Sequence, residues 1–277
     1  MRRALPRPKR RTIGRWCFVD HLGPADVSED GGMSVGPHPH SGIHTVTWLI
    51  EGELHHRDSL ASLQRIRPGE VNLMSAGYGI AHAEERVKGW DGTLHGVQLW
   101  LAQTEDERHG PSRFMHLGEV PRWQNAGVVA REILGPEAFP ARADLADVVA
   151  LDVELVSDQP QELPLVENFE HGFIVLRGEI SLEGTQLVPG VLGYLPPNRN
   201  SLHLRGPKGS RALLIGGIPF AEKPLMWWNF VGRTRGELLE MVKQWNDGPG
   251  TRYGSTGSSL PRILSPVPPW RPESSDD

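Results

Sequence analysis

Two short motifs, Gly36-Pro-His-Pro-His-Ser-Gly42 and His82-Ala-Glu84, are the most informative parts of this sequence. In an extended strand, every second side chain points to the same face, so both histidines of the first motif share a face. The same holds for the two polar side chains of the second motif. Two such pairs on neighbouring strands would converge. The sequence therefore predicts one metal site with four ligands, which are His38, His40, His82 and Glu84.

The residues between these motifs favour short strands that are separated by turns. Residues 45–50 are β-branched and aromatic, which is typical of a strand, and a Glu-Gly-Glu turn follows at 51–53. Residues 54–59 can return antiparallel, and residues 70–75 form a further strand after the turn at Arg67-Pro-Gly69. Short strands between Gly and Pro turns predict a β-barrel or sandwich.

The second half repeats the order of strands and turns of the first half. A Pro- and Gly-rich bridge at 134–140 precedes further β-rich segments at 148–156, 173–176 and 191–195. This internal duplication predicts an all-β protein of two stacked barrels. We expect an N-terminal metal-binding domain over residues 1–135 and a degenerate C-terminal domain, with a helix and tail, over residues 136–277.

Aligning the turns of the two halves tests for a second metal site. Placing Gly52 on Gly178 puts Pro164 and Val166 where the first half has its His-x-His pair. Placing Gly69 on Gly190 puts His203 opposite His82, and Arg205 opposite Glu84. One metal-binding side chain of four is kept. We therefore predict that the second barrel binds no metal.

The end of the chain differs from the β-rich segments. Residues 235–245 have apolar side chains three and four positions apart, which predicts an amphipathic helix that ends at Gly248-Pro-Gly250. The last residues are rich in Gly, Ser and Pro. Their composition alone predicts loop or disorder.

Composition narrows the class of protein. The chain has 277 residues, 38% hydrophobic and 23% charged, which is typical of a soluble globular protein. A formal net charge of −5 gives no reason to expect nucleic-acid binding, and a membrane span is not expected because no run of eighteen apolar residues occurs. The basic start, residues 1–11, lacks the apolar core of a secretory signal and is interpreted as a solvated arm. The single cysteine, Cys17, excludes an internal disulfide and favours a cytoplasmic location.

An ordered set of sequence blocks extends the two metal-site motifs over nearly the whole chain. The blocks are Gly36-Pro-His-Pro-His-Ser-Gly42, Thr45-Val-Thr-Trp-Leu-Ile-Glu-Gly52, His56-Arg-Asp-Ser59, Arg67-Pro-Gly69, Ala76-Gly-Tyr-Gly-Ile-Ala-His-Ala-Glu84, His95-Gly-Val-Gln-Leu-Trp100, Trp227-Trp-Asn-Phe-Val231 and Arg262-Ile-Leu-Ser-Pro266. Together they resemble the pirin family of the cupin superfamily. The resemblance implies two cupin jelly-roll barrels, with a tail that packs back on the body.

The ligand types and the resemblance bear on the metal in different ways. Three neutral imidazoles and one carboxylate suit a divalent first-row transition metal with open coordination positions, but they do not select one. The resemblance implies Fe(II), with Mn, Ni, Co or Cu as possible substitutes. Many pirins place an arginine where this chain has Ser41, so the resemblance also implies a lost positive charge near the cavity mouth.

Several polar side chains near the motifs leave alternatives open. His44 stands where many cupins carry a glutamate ligand. It is a fifth or substitute ligand, a residue that supports the ligands, or a residue that only lines the barrel. His55 and His56 should point to opposite faces, and the family pattern suggests a structural hydrogen bond for His56 and Asp58. Gln98 either orients a bound oxygen or lies at the barrel rim.

Two classes of function follow from the resemblance. One is a metal-dependent dioxygenase of the quercetin 2,3-dioxygenase type, which acts on a small aromatic flavonol. In it, Glu84 is either a ligand or the catalytic base that takes the proton of a substrate hydroxyl. The other is a non-catalytic metal or redox sensor that regulates a protein partner. The sequence does not exclude either.

Overall fold

The computed structural model describes residues 1–27, 34–248 and 250–270. Within these ranges the chain forms 22 strands, one short 3-10 helix (Ala143–Leu145) and two α-helices. The first twelve strands are β1 (Arg2–Leu5), β2 (Trp16–Val27), β3 (Val35–His40), β4 (Ile43–Glu51), β5 (Leu54–Asp58), β6 (Leu63–Ile66), β7 (Val71–Ser75), β8 (Ile80–Arg86), β9 (Gly92–Ala102), β10 (Arg113–Leu117), β11 (Arg122–Gln124) and β12 (Val128–Leu134). The remaining elements are β13 (Val148–Leu155), β14 (Gln161–Pro164), β15 (Glu170–Arg177), β16 (Ile180–Leu182), β17 (Thr185–Leu187), β18 (Leu192–Leu195), β19 (Ser201–Arg205), β20 (Arg211–Gly217), β21 (Leu225–Trp227), β22 (Phe230–Gly232), α1 (Arg235–Asp247) and α2 (Gly250–Tyr253).

The chain forms two compact units, each discontinuous in sequence. The histidine unit contains residues 23–96, 100–117 and 222–277, and the apolar unit contains residues 1–22, 97–99 and 118–221. The all-β prediction is confirmed, since both units are built mainly from strands. The single boundary after residue 135 stays a prediction. In the two compact units, residues 1–22 belong to the apolar unit and residues 222–277 belong to the histidine unit.

Two sheets form the body of the histidine unit. Strands β9, β4, β7 and β10 are neighbours in that order in one sheet, and β3, β8, β5 and β6 are neighbours in the other. The predicted strands at 45–50, 54–59 and 70–75 correspond to β4, β5 and β7. β7 pairs antiparallel with β4, whereas β5 pairs with β6 and β8 in the second sheet.

The predicted helix forms and packs on the histidine unit. Thr234 caps the start of α1 by accepting a hydrogen bond from the Glu237 backbone N–H, and the helix ends at Gly248. Its buried side chains pack with Ala81 of β8 and with Tyr253 of α2. The apolar stripe of residues 235–245 therefore covers the outer side of a strand that carries predicted ligands.

The tail after α2 has no regular structure but is held by hydrogen bonds. The Trp227 indole N–H donates to the Pro266 carbonyl at 2.8 Å, and the Trp245 indole donates to the Ile263 carbonyl at 2.8 Å. Composition alone predicted a loop or disorder for this segment, and within the described residues it is a loop. These bonds confirm that the tail packs back on the body through residue 266, as the resemblance implies. Residues 271–277 lie outside the described ranges.

The apolar unit has the same kind of paired sheets. One has the order β11-β12-β13-β20-β15-β18 and the other the order β14-β19-β16-β17. Among the described residues, no helix is long and apolar enough to cross a membrane.

Candidate metal centre

Three neighbouring strands of the histidine unit each supply a pair of polar side chains with the same spacing. In the antiparallel register, His38 of β3 lies opposite His82 of β8. On the other side of β8, Asp58 of β5 lies opposite His82, and His56 lies opposite Glu84. Since residues two apart share a face, the pairs His-x-His, His-x-Glu and His-x-Asp all point to one side of the sheet.

The four predicted ligands come together at this face. His38, His40 and His82 each offer a ring nitrogen, and these atoms lie within 4.8 Å of one another. The Nε2 atoms of His40 and His82 are 3.0 Å apart. The Glu84 carboxylate lies 3.8 Å from His38 Nε2 and 3.7 Å from His82 Nε2. All three histidines are buried, and Glu84 is half-buried.

Backbone carbonyls determine which nitrogen of His38 and His40 is free for an ion. His38 Nδ1 lies 2.9 Å from the Gly36 carbonyl, and His40 Nδ1 lies 3.1 Å from the Asn229 carbonyl. A carbonyl only accepts, so each Nδ1 carries a proton and Nε2 is the nitrogen of each ring that can bind an ion. Asn229 is in the two-residue turn between β21 and β22, next to Trp228, which has a left-handed φ of 51°.

His82 is held by a second histidine instead of a carbonyl. Its Nδ1 lies 3.4 Å from His56 Nδ1, and His56 Nε2 lies 3.0 Å from Asp58 Oδ2. The other Asp58 oxygen accepts the backbone N–H groups of Leu60 and Ser62. Burial alone would raise the pKa of Asp58, but the hydrogen bonds from His56 and Ser62 lower it overall. The carboxylate is therefore ionised and accepts the His56 Nε2 proton.

The protonation state of the buried rings suits a cation. Burial is the main cause that lowers the pKa of His40 and His82 well below the ordinary histidine value, and the charge of His38 lowers both further. Both rings are therefore neutral near pH 7. Neutral imidazole is the form that binds a metal.

These residues fit a transition-metal ion. Without a cation, the lone pairs of His40 and His82 would face each other across 3.0 Å. Two nitrogens bound at about 2.1 Å to one ion, at right angles to each other, lie about 3.0 Å apart. The carboxylate adds the negative charge and oxygen donor that a divalent ion favours. In the described residues this group has no thiolate, unlike many structural zinc sites.

Aromatic side chains from the facing sheet line the site. Trp100 of β9 approaches His40 edge-on at 5.1 Å between ring centroids. Phe114 of β10 stacks on His56 at 4.4 Å, with 12° between the ring planes. Glu84 is more exposed than the three histidines, so the site opens to solvent on the Glu84 side.

The structure places His44 and Ser41 away from the ligand group. His44 Nδ1 lies 2.8 Å from the Ser75 hydroxyl, and its Nε2 lies 3.8 Å from the Glu107 carboxylate. The Ser41 hydroxyl is buried and lies 3.4 Å from both the Tyr253 hydroxyl and the Arg252 guanidinium. A positive donor is thus present beside Ser41, supplied by α2. The role suggested for Gln98 of β9 stays a prediction.

His56 and Asp58 have a larger role in the site than the sequence predicted, because His56 contacts the predicted ligand His82. His56 is buried and its neighbour His55 is half-buried, as the alternation of strand faces predicts. A hydrogen bond between His56 and Asp58 was expected, but not the contact with His82. The missed signal is the spacing: His56-x-Asp58 repeats the two-residue period of the ligand pairs.

The corresponding strands of the apolar unit carry leucines where the histidine unit carries ligands. β14 pairs with β19 so that Leu163 lies opposite Leu202, and both side chains are fully buried. Leu204 is also buried, whereas His203 between them is exposed and lies 3.5 Å from Glu183. The turn alignment put Pro164 and His203 where His38 and His82 lie opposite each other, whereas in the strand register Pro164 lies opposite Ser201 and His203 lies opposite Glu162.

Comparison with known proteins agrees with this geometry. The pirin family model matches residues 1–101, and the model of the pirin C-terminal cupin domain matches residues 150–251. A Pseudomonas aeruginosa protein named "Putative quercetin 2,3-dioxygenase" is 41% identical over 97% of this chain and 86% of its own length. A Caulobacter vibrioides "Pirin-like protein" is 35% identical over 89% of this chain and 88% of its own. The crystal structure of a quercetin 2,3-dioxygenase from Acinetobacter baumannii has a TM-score of 0.89 and 37% identity, covering 97% of this chain and 90% of that one.

Proposed function

This chain belongs to the pirin family of two-domain cupins, and from that premise we propose that it is a mononuclear metal-dependent dioxygenase acting on flavonol-like aromatic substrates. The observation that carries the proposal is the convergence of three histidine nitrogens beside one half-buried carboxylate. Similarity to a quercetin 2,3-dioxygenase of known structure supports the substrate class. We propose Fe(II) as the metal, with Mn, Ni, Co and Cu as substitutes, and a cytoplasmic location.

The residues of the site divide the work of such a reaction. His38, His40 and His82 would hold the ion through Nε2, and Glu84 would complete the set. When bound, the metal supplies Lewis-acid and redox chemistry. Glu84, on the solvent side, is placed to accept the proton of an entering substrate hydroxyl at a carboxylate oxygen. Trp100 and Phe114 give the site apolar walls that exclude water and suit an aromatic ring.

Oxygen consumption by metal-loaded protein tests the proposal. The full chain is stripped with a chelator and reloaded without oxygen with ferrous, manganous, nickel, cobalt or copper ion, one at a time. Dioxygen uptake is then measured with quercetin and other flavonols. We expect uptake that scales with the bound metal.

Two histidine variants provide the control. His82→Ala should remove both the metal and the uptake, while His203→Ala, which changes an exposed histidine of the apolar unit, should change neither. If the chain binds one metal ion but consumes no dioxygen with any flavonol, the proposed dioxygenase activity is wrong and the proposed metal site still stands. Capture of a regulatory protein by the metal-loaded form alone would then favour the sensor reading.

A further inference from the structure

The three ligand histidines differ in what holds their second nitrogen. His38 and His40 each donate to a neutral backbone carbonyl. His82 donates to the ring of His56, whose other nitrogen donates to the buried carboxylate of Asp58. Among the described residues, the second nitrogen of His82 is therefore connected to a carboxylate by a chain of two hydrogen bonds, whereas those of His38 and His40 meet carbonyls.

We propose that His56 and Asp58 form a relay that fixes the tautomer of His82 and makes it the most electron-donating nitrogen of the metal site. The inference rests on the proposed metal site, but not on the dioxygenase activity. Neither residue belongs to the proposed ligand set, so both are positioning residues that act through His82.

The donor and acceptor roles of the three side chains determine the direction of each hydrogen bond in the relay. An ionised carboxylate only accepts, so His56 Nε2 must donate to Asp58. His56 Nδ1, 3.4 Å from His82 Nδ1, is then the atom placed to accept the Nδ1 proton of His82. His82 Nε2 is left as a lone pair directed at His40 Nε2, 3.0 Å away. The relay thus presents the nitrogen that the metal needs.

Packing against Phe114 helps to hold the relay in place. His56 is 5% exposed and its ring lies flat on Phe114, so packing fixes the plane of the ring, and the hydrogen bonds to Asp58 and His82 select its flip. Asp58 is fully buried and receives two backbone N–H groups from the turn at residues 59–62. The charge therefore cannot be satisfied by water and remains directed toward His56.

The relay should change the reduction potential of a bound metal, which a purely structural role of His56 and Asp58 would not do. Hydrogen bonds from a ligand imidazole to a carboxylate increase the basicity of the ligand. A more basic His82 stabilises the ferric ion over the ferrous ion, because the higher charge gains more from electron donation. The relay should therefore lower the reduction potential of bound iron, with no net movement of protons.

Three substitutions separate the steps of the relay in the full-length, iron-loaded chain. His56→Phe keeps a ring on Phe114 but removes the acceptor for His82. His56→Asn keeps an acceptor oxygen near the Nδ1 position but cannot reach Asp58. Asp58→Asn keeps the shape and removes the charge. His55→Phe is the matched control, since His55 is the adjacent residue on the opposite face of β5.

The measurements are ferrous affinity by chelator competition, potential by redox titration followed through the ferric spin resonance signal, and His82 tautomer by nitrogen NMR of the zinc-loaded protein. We expect His56→Phe to lose roughly 10–100-fold in affinity and to raise the potential. His56→Asn should recover most of the affinity and the tautomer but keep the raised potential. Asp58→Asn should also raise the potential, and His55→Phe should match the unchanged protein.

Potentials equal to that of the unchanged protein in all three variants, with lower thermal stability, would overturn the relay and leave a structural role. If His56→Phe does not fold, His56→Asn and Asp58→Asn decide by the same potentials. None of these measurements uses a flavonol. An absence of oxygen uptake would therefore count against the proposed function and not against the relay.

Discussion

Among single residues, Glu84 and His44 define the limits of the ligand set. Glu84 lies within 3.8 Å of two ligand nitrogens, whereas His44 is hydrogen-bonded to Ser75 on another pair of strands. Sequence spacing allowed either residue as the fourth ligand. The geometry favours Glu84, because β8 places it on the same face as His82.

Substituting each of these two residues separately tests the assignment of Glu84 as the fourth ligand. Glu84→Gln keeps the shape of the side chain and removes its charge, so it should weaken metal binding strongly and abolish oxygen uptake. His44→Ala should cost at most roughly 10–100-fold in affinity, as loss of a supporting contact does. Chelator competition measures both affinities. A His44 variant that loses metal more readily than the Glu84 variant would contradict the assignment.

A buried histidine of the apolar unit should make stability depend on pH. Burial lowers the pKa of His171 from the ordinary 6.5 to about 4. The unfolded chain therefore binds this proton first, and the free energy of unfolding falls as the pH drops from 6.5 toward 4. The contribution of one such group is about 1.4 kcal/mol per pH unit inside that window and constant above it.

Urea unfolding between pH 4 and 7 measures this dependence. His171→Leu should reduce the slope of the free energy of unfolding by about 1.4 kcal/mol per pH unit below pH 6.5. His203→Leu serves as the control, because its side chain is exposed and should leave the slope unchanged. An identical slope in the His171 variant and the unchanged protein would show that His171 is not buried in neutral form.

At the level of elements, local patterns predicted most strands but not their partners. The alternation in β3 and β8 predicted the shared face of the four proposed ligands. Turn residues at 51–53 marked the end of β4, and those at 67–69 and 77–79 marked both ends of β7. The pairing of β5 with β8 depends on contacts between distant residues, which local propensity does not contain. The spacing of His56 and Asp58 therefore indicated a shared face, but the contact of His56 with His82 needed the pairing of β5 with β8.

The tail was the least predictable element, for a related reason. Its Gly, Ser and Pro content shows no period, so nothing local indicates a packed segment. Its order comes from donors elsewhere, namely the Trp227 and Trp245 indoles, and from the Ile263 N–H, which donates to the Pro37 carbonyl at 2.9 Å. The tail thus lies against the strand that carries His38 and His40.

Gly36 offers a test of whether this tail supports the metal site. A β-carbon at Gly36 would lie 2.2 Å from the Pro261 carbonyl oxygen, so Gly36→Ala must displace the tail or the strand. We expect a loss of about 1–3 kcal/mol in the free energy of unfolding, as for other overpacked sites. Metal affinity should also fall, because the Gly36 carbonyl orients His38.

Gly118→Ala is the matched control, since a β-carbon there meets no atom within 4 Å. Urea unfolding, chelator competition and protease cleavage within residues 254–266 are compared for the two variants. Unchanged metal affinity in a destabilised Gly36→Ala protein would show that the tail stabilises the fold without supporting the site.

For the whole molecule, the two units share one order of strands and turns but differ in the side chains that they bury. The facing strands of the histidine unit bury polar pairs that a cation can satisfy, whereas those of the apolar unit bury leucines. Buried apolar side chains stabilise a core by about 1.5–3 kcal/mol each, without any ligand. The apolar unit can therefore fold without metal, and it offers no donor atoms at the corresponding positions of β14 and β19.

The last prediction concerns metal stoichiometry. Anaerobic titration of the full chain with ferrous or manganous ion should approach one ion per chain, because Leu163, Leu202 and Leu204 cannot bind a transition metal. His203→Ala should leave that number unchanged, since this side chain points away from the core that those leucines fill. His40→Ala should abolish the tight site while far-UV circular dichroism still shows the β-rich fold, since most of the buried core is apolar in both units. Two tight sites per chain, or full retention of metal in His40→Ala, would contradict the division of the duplicated fold into one metal-binding unit and one apolar unit.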